Sequence, residues 1–399
     1  MYYMKTLFFC IGSFLCFSLL GGCQSKERTD NFGYYAEVLM DSTLKYYKAD
    51  KEGLFYDIYP KNDNDLVTCL CGDTTVLKSR VAYLWSMSGT LSSVISLLEL
   101  TGEQKYESLL NYFTRTIMRC YYDTLRTPYA YQSYISCAGK SDRFYDDNLW
   151  LGIDFIECYK LTGNSDYLYS AKKIWDFIES GRDSVLGGGI YWCEQSRSSK
   201  NTCSNAPAVV LALKLYKETG NVKYFDAGKD IYEWVRENLR DSSDNIYFDN
   251  ITLDGSINKT KFQYNSGQML QAATLLYKAT GNKKYLEDAY TLAEACNSYF
   301  FKDYTSKDEE KFRVLKNGNM WFIAVMLRGF EELYDIDKNP FYIENFRKTL
   351  QCAWDENTNS NKLFDDDLFI EKLHNPKNSK WLLTQVAMIE MYSRLANIK

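Results

Sequence analysis

The phrase Thr-Gly-x-x-x-Tyr recurs along the chain, at Thr101–Tyr106, Thr162–Tyr167, Thr219–Tyr224 and Thr280–Tyr285. A degenerate copy runs from Asp335 to Tyr342. A period of about 60 residues is that of a repeated supersecondary unit. Each copy lies between two apolar helical runs. Glycine after the first run is a helix-stop signal, and Asn or Ser just beyond it starts the next. Each unit is therefore a helix, a tight turn and a second helix.

The runs before the turns span 82–100, 147–161, 206–219, 265–279, 319–334 and 380–397. Those after the turns span 32–48, 104–119, 166–180, 222–239, 283–299 and 341–353. The first run, 32–48, has no partner before it, so the last run, 380–397, must pair with it. An open solenoid needs polar capping helices. The two end runs, Tyr35 to Tyr47 and Trp381 to Ile398, are as apolar as the middle ones. The expected fold is therefore all-α: a closed (α/α)6 barrel of six helical hairpins, one catalytic-size domain over 32–399.

Turns inside the hairpins are short, whereas the connections between them, 49–81, 120–146, 181–205, 240–264, 300–318 and 354–379, are long. In an alternating ring the long connections share one end, with the N-termini of the inner helices. Long connections in a compact domain are usually functional. That end carries Trp85, then Tyr145-Asp146-Asp147-Asn148 with Trp150, then Gly187-Gly188-Gly189 with Tyr191 and Trp192. Asn205, Asp249, Tyr264, Asn265 and Gln268 follow. Flat aromatic faces beside amides and acids form the mixture that binds sugars. The chain holds 16% aromatic residues, among them 34 Tyr and 8 Trp.

Composition narrows the chemistry. The net charge is −5 with no basic tract, which argues against a nucleic-acid partner. His374 is the only histidine, so acid–base work falls to carboxylates, Tyr, Lys or Cys. The single histidine excludes most His-rich metal sites, and Cys69-x-Cys71 is not a zinc spacing, with no second pair to complement it. The nine cysteines beyond Cys23 allow disulfides whose pairing the sequence leaves open.

The first residues form a targeting segment: Lys5, an apolar run from Leu7 to Leu20, then Leu20-Gly21-Gly22-Cys23. Small residues before a Cys after a short apolar run resemble a bacterial lipoprotein signal. The expectation is a signal over 1–22, lipidation of Cys23 and a polar tether over 23–31. That places a monomer on the cell envelope, at the outer membrane, with surface or periplasmic orientation open. A plain secretory signal is the alternative. No later stretch is apolar and long enough to span a bilayer.

Asp146 and Asp147 stand next to each other at a helix start, flanked by Phe144, Tyr145 and Trp150. Acids there also cap helices and suit the helix dipole. Apolar neighbours raise a carboxyl pKa, which a general acid requires. In a regular helix adjacent side chains diverge by about 100°, so the pair is expected at a non-helical edge. The others have plainer roles open to them: Asn205 before Pro207 as a cap, Gly187 to Gly189 as a flexible turn, Trp85 and Trp192 as core, Asp249 as a turn residue. Asp365-Asp366-Asp367 reads as a solvated loop.

The Asp146-Asp147-Asn148-x-Trp150 stretch resembles the signature of the glycoside hydrolase family 76 α-1,6-mannanases. The resemblance covers roughly residues 80 to 300. It includes Tyr83-Leu84-Trp85, Gly188-Gly189-Ile190-Tyr191-Trp192, Ser204-Asn205-Ala206-Pro207, Ile246-Tyr247 with Asp249-Asn250, and Tyr264-Asn265. It implies the same barrel and endo-hydrolysis of α-1,6-mannan with retention, with Asp146 as nucleophile, Asp147 as acid/base and no metal or cofactor. After Phe300 the pattern departs: Leu315-Lys316-Asn317-Gly318-Asn319 stands where a Lys-Gly segment is expected. Two alternatives stay open: a glycan-binding lipoprotein that keeps the groove without turnover, and another (α/α)6 enzyme. Sugar epimerases of this fold use histidines, which a single His374 does not favour.

Overall fold

The computed structural model describes residues 31–49, 53–62, 64–70, 79–305, 309–358, 360–365 and 379–398. Cys23, Cys71, Asp366, Asp367 and His374 lie outside them, and with Cys23 the expectation of an anchor. Asn31 to Lys399 make one compact unit.

Among the described residues twelve α-helices follow one another: α1 (Phe32–Tyr46), α2 (Leu84–Thr101), α3 (Gln104–Tyr121), α4 (Tyr145–Thr162), α5 (Ser165–Ser180), α6 (Thr202–Thr219), α7 (Val222–Leu239), α8 (Gln263–Thr280), α9 (Lys283–Phe300), α10 (Met320–Asp337), α11 (Phe341–Asn357) and α12 (Leu382–Asn397). The even-numbered helices form an inner ring, each packed on the next, and α12 packs back on α2. α1 packs on α12, which completes the sixth hairpin and closes the (α/α)6 barrel. None of these helices is long and apolar enough to cross a membrane.

Burial follows this arrangement. α6 is buried on nearly every side, from Thr202 to Leu213 and at Leu215, as a central helix must be. α3 buries one stripe, Tyr106, Leu110, Phe113, Ile117 and Tyr121, and turns its polar side outward. α8 and α10 cross so closely that a Cβ on Gly267 would sit 2.3 Å from Met326 Cα.

The recurring turn has a direct physical account. Gly163 adopts φ 71°, which a Cβ disfavours, and its N–H reaches the Tyr159 carbonyl at 2.8 Å. The Thr162 hydroxyl donates back to Cys158 O at 2.7 Å and accepts the Asn164 N–H at 3.2 Å. Asn164 Oδ1 then accepts the Asp166 N–H at 3.0 Å and caps α5. The same threonine bonds recur at Thr101, Thr219 and Thr280. In the degenerate copy Lys338 takes the left-handed position at φ 53°.

The long connections, unlike the all-α expectation, contain short antiparallel pairings. Ile58–Tyr59 pairs with Lys380–Trp381, so the connections before α2 and α12 are joined. Tyr122–Asp123 pairs with Ala130–Tyr131, Ser199–Asn201 with Asn250–Thr252 and that with Ile257–Asn258, and Phe301–Thr305 with Lys311–Leu315. Most are two or three residues long, too short to show an alternating pattern in sequence.

Candidate active site

The segment that carries the aspartate pair is clamped before α4 begins. Arg143 is fully buried and bonds Glu194 through Nε at 2.6 Å, Pro128 O at 2.9 Å and Arg126 O at 3.2 Å. Residues 192–194 run antiparallel to 143–145, with Tyr145 N–H on Trp192 O at 3.0 Å and Glu194 N–H on Arg143 O at 3.0 Å. This pairing lays the Trp192 side chain beside Asp146.

α4 starts at Tyr145, so Asp146 and Asp147 both belong to its first helical turn. The expectation of a non-helical edge is corrected. The pair still faces one space because Cα–Cβ bonds tilt toward a helix N-terminus. In the first turn that direction leads off the end of the inner ring and into the mouth framed by the connections.

Both carboxylates line a cavity of about 630 Å³. Trp150, one turn deeper on α4, lines it too, as do Trp85, Trp192, Asp249 and Tyr264. One side is aromatic: Phe322 stacks on Tyr264 at 3.9 Å and 6°, Trp85 lies parallel to Phe322 at 6.1 Å, and Phe262 meets Phe322 edge-on at 5.4 Å. Trp381 buttresses Trp85 edge-on at 5.4 Å, and its indole N–H is held by Asp57 Oδ2 at 3.1 Å.

The two aspartates differ in their surroundings. Asp146 Oδ2 accepts the Trp192 Nε1–H at 3.1 Å and the Cys203 thiol at 3.4 Å, and Oδ1 accepts the Asp147 N–H at 3.1 Å. Asp147 has no side-chain hydrogen bond among the described residues. Burial raises the Asp146 carboxyl, and these donors oppose it. Asp147 is pushed well up by burial and then by the neighbouring Asp146 charge, with no donor to offset them. Asp249 is also raised by burial and is held by Asn250 Nδ2 at 2.8 Å.

Several residues expected in the groove lie behind it. Asn148 is fully buried; it accepts the Tyr131 N–H and donates to Tyr131 O and Phe144 O, each at 2.8 Å. Asn205 does the same with Ile190 N–H (2.7 Å), Ile190 O (2.9 Å) and Asn201 O (2.8 Å). Both N–H donors of each amide are taken by backbone carbonyls, and both side chains are fully buried, out of a ligand's reach. Tyr145 is buried and stacks on Phe177 at 4.6 Å. Tyr191 is buried with its hydroxyl on Asp183 at 2.7 Å. Gly188 and Gly189 lie against Trp234, where a Cβ would come within 3.1 and 2.7 Å, in a separate cleft of about 490 Å³. Gln268 is buried and donates to Gln271 at 2.9 Å, and Asn265 is buried beside Asp249.

Cys203, Phe262 and Phe322 line the cavity although sequence reasoning did not select them. Phe322 had a readable signal: it follows Trp321 in the first turn of α10, at the mouth end of an inner helix. Among the described residues no cluster of His, Cys, Asp or Glu is placed to hold a metal ion, and the cysteines are free thiols.

A toroid of helical hairpins with adjacent carboxylates in an aromatic cavity at one pole defines an (α/α)6-barrel protein with a carbohydrate-type cleft. Within that class the chain belongs to glycosyl hydrolase family 76, whose profile matches residues 34–397. It is similar to a family 76 glycoside hydrolase (mannosidase) of Bacteroides thetaiotaomicron, at 33% identity and TM-score 0.82, over 92% of this chain and 98% of that one. An α-1,6-mannanase of Salegentibacter, solved with α-1,6-mannotriose as an inactive variant with two consecutive aspartates changed to asparagine, matches at 25% identity and TM-score 0.74. That match covers 92% of this chain and 100% of the other. A mannan endo-1,6-α-mannosidase of Saccharomyces cerevisiae is 29% identical over 154 residues, which is 35% of this chain and 33% of the yeast protein. The chain thus matches only about a third of the length of such curated relatives.

Proposed function

We propose that this chain is a retaining endo-α-1,6-mannosidase that cleaves the mannan backbone by double displacement. Asp146 attacks the anomeric carbon while Asp147 gives its proton to the departing glycosidic oxygen. Asp147, now ionised, takes a proton from water, whose oxygen displaces Asp146 from the sugar and restores both groups. Consecutive residues, with Cα atoms about 3.8 Å apart, suit the spacing of about 5–5.5 Å that retention needs.

The observation that carries this reading is the asymmetry of the pair. Donors surround Asp146 and favour its ionised form, while Asp147 has burial and a neighbouring negative charge that favour its protonated form. When one proton remains it resides on Asp147, the arrangement of a nucleophile beside an acid. The inactive asparagine variant of the Salegentibacter mannanase supports the choice of pair, and its bound mannotriose supports the substrate class.

The test is product analysis on debranched and branched yeast-type mannan, with the first product's anomer read by proton NMR. Internal cleavage of the debranched polymer with an α product is expected, and loss of turnover in Asp146→Asn and in Asp147→Asn. A β product rejects retention. Binding of mannan oligosaccharides without products selects the glycan-binding alternative.

The site is further inferred to work as a monomer held at the outer membrane by lipid on Cys23, on the strength of Leu20-Gly21-Gly22-Cys23. Radiolabelled palmitate should enter the wild type and not Cys23→Ala.

A further inference from the structure

We propose that the Cys203 thiol is a positioning residue for the nucleophile: it donates to Asp146 Oδ2 and, with Trp192, fixes Oδ1 as the attacking oxygen. This rests on the assignment of Asp146 above and adds to it a residue and an atom.

Cys203 is the second residue of α6, the inner helix next to α4 in the ring. It is 4% exposed, lines the cavity and points its sulfur at Asp146 Oδ2, 3.4 Å away. A thiol so close to a carboxylate is useful only as an S–H donor. The environment keeps it one: burial and the charges of Asp146 and Asp249 raise Cys203 well above the ordinary thiol range. Tyr264 stands close to the sulfur, on the aromatic side of the cavity.

The consequence for Asp146 is atomic. Oδ2 has two lone pairs and two donors, Trp192 Nε1–H and Cys203 Sγ–H. Oδ1 has one donor, the Asp147 N–H, and keeps one lone pair. When the carbon–oxygen bond to the sugar forms, the electron pair comes from Oδ1, and the negative charge left on the carboxylate drains from Oδ2. Donors on Oδ2 hold the carboxylate ionised at rest and stabilise it again as it leaves in the second step. The titratable groups around Asp146 are Asp147 on α4, Cys193 in the connection before α6, Cys203 on α6, Asp249 in the connection before α8 and Tyr264 on α8.

The experiment compares wild type, Cys203→Ala and Cys203→Ser. With the donor gone, Asp146 should titrate higher, so the acidic limb of kcat/KM moves up by about half a pH unit, and kcat falls roughly 10-fold with KM little changed. Serine restores a donor, so its profile and rate should return most of the way. The second readout needs no substrate: carbon-13 NMR of labelled aspartate, where the Asp146 signal is assigned by its loss in Asp146→Asn. A higher Asp146 titration point in Cys203→Ala than in wild type supports the proposal even if mannan proves the wrong substrate. A wild-type titration curve in Cys203→Ala overturns it, as does an unchanged limb in an active enzyme. If Cys203→Ala does not fold, Cys203→Val, apolar and closer in size, takes its place: an upward displacement of the limb that serine does not show supports the donor, and a limb within experimental error of wild type overturns it.

Discussion

Trp192 donates its indole N–H to Asp146 Oδ2 at 3.1 Å from the connection between α5 and α6, while its backbone carbonyl accepts the N–H of Tyr145, the residue just before Asp146. One residue thus fixes both the side chain and the backbone of the proposed nucleophile. Only the first role depends on the indole nitrogen. Trp192→Phe should keep the fold and cost one charge-assisted hydrogen bond, about 1.5–3 kcal/mol. The expected loss in kcat/KM is roughly 10- to 100-fold, at an unchanged melting temperature. A loss of stability equal to the loss of activity would speak against a role specific to Asp146.

The pH profile follows from the raised pair. In the proposed mechanism Asp146 must be ionised, so kcat/KM rises as pH climbs through its elevated titration point. In the same mechanism Asp147 must be protonated, so the rate falls as pH passes through its own titration point, which burial and the Asp146 charge push well up. A bell centred above the ordinary carboxylate range is expected from initial rates on a soluble mannan oligosaccharide. An optimum in that ordinary range would contradict the burial of the pair.

The same shifts have a cost in stability. A carboxyl whose folded pKa is raised holds its proton more tightly in the native state than in the unfolded one. Its contribution is neutral below the unfolded value, about 4, and turns increasingly unfavourable as pH rises toward the folded value. Asp147→Asn should therefore melt above wild type near neutral pH, and the gap should close in acid. Calorimetry at several pH values checks it; a gap that does not depend on pH would mean another cause.

Gly267 lies where two inner helices touch through backbone. Gly267→Ala would force a Cβ to within 2.3 Å of Met326 Cα, and α8 and α10 would have to separate. Overpacking of this kind costs about 1–3 kcal/mol or more. A lower denaturant midpoint should appear together with weaker activity, since Tyr264 and Phe322 stand on these two helices.

Phe322 supports the ring of Tyr264 and lines the cavity. Phe322→Ala should raise KM for mannan oligosaccharides more than it lowers kcat, because the lost stacking surface acts in binding. Isothermal titration on an Asp147→Asn background separates the two; equal affinity with and without Phe322 would remove it from the sugar-binding wall.

The architecture was legible because it rests on local signals repeated several times. Gly163 in a left-handed turn, Thr162 folded back on the preceding carbonyl and Asn164 as a cap are each short-range requirements. The aspartate pair was legible for the same reason, as acids at a helix start among aromatics. The rest of the cleft was not. Asn148 and Asn205 look like sugar ligands, yet both are the fourth residue of an inner helix and clamp the preceding connection to it. Gln385, fourth in α12, binds Phe364 N–H, Phe364 O and Trp381 O in the same manner. Ser266, fourth in α8, accepts the Tyr247 N–H. An amide that satisfies backbone and one that meets a hydroxyl are identical in sequence. Only the path of the connection separates them, and that path depends on pairings between segments far apart in the chain. Cys203 was passed over for the converse reason: a lone thiol acquires meaning only from the carboxylate placed beside it.

α12 fits between α2 and α10 and backs onto α1, so the keystone of the ring is the last of its twelve helices in chain order. Until it arrives, a growing chain exposes the oily flanks of its first, second and tenth helices to whatever is nearby. The ring closes only once this helix is in place, and apolar surface left exposed until then is the kind that invites misassembly, so a helper that shields this seam would matter more to yield than one that assists any single hairpin.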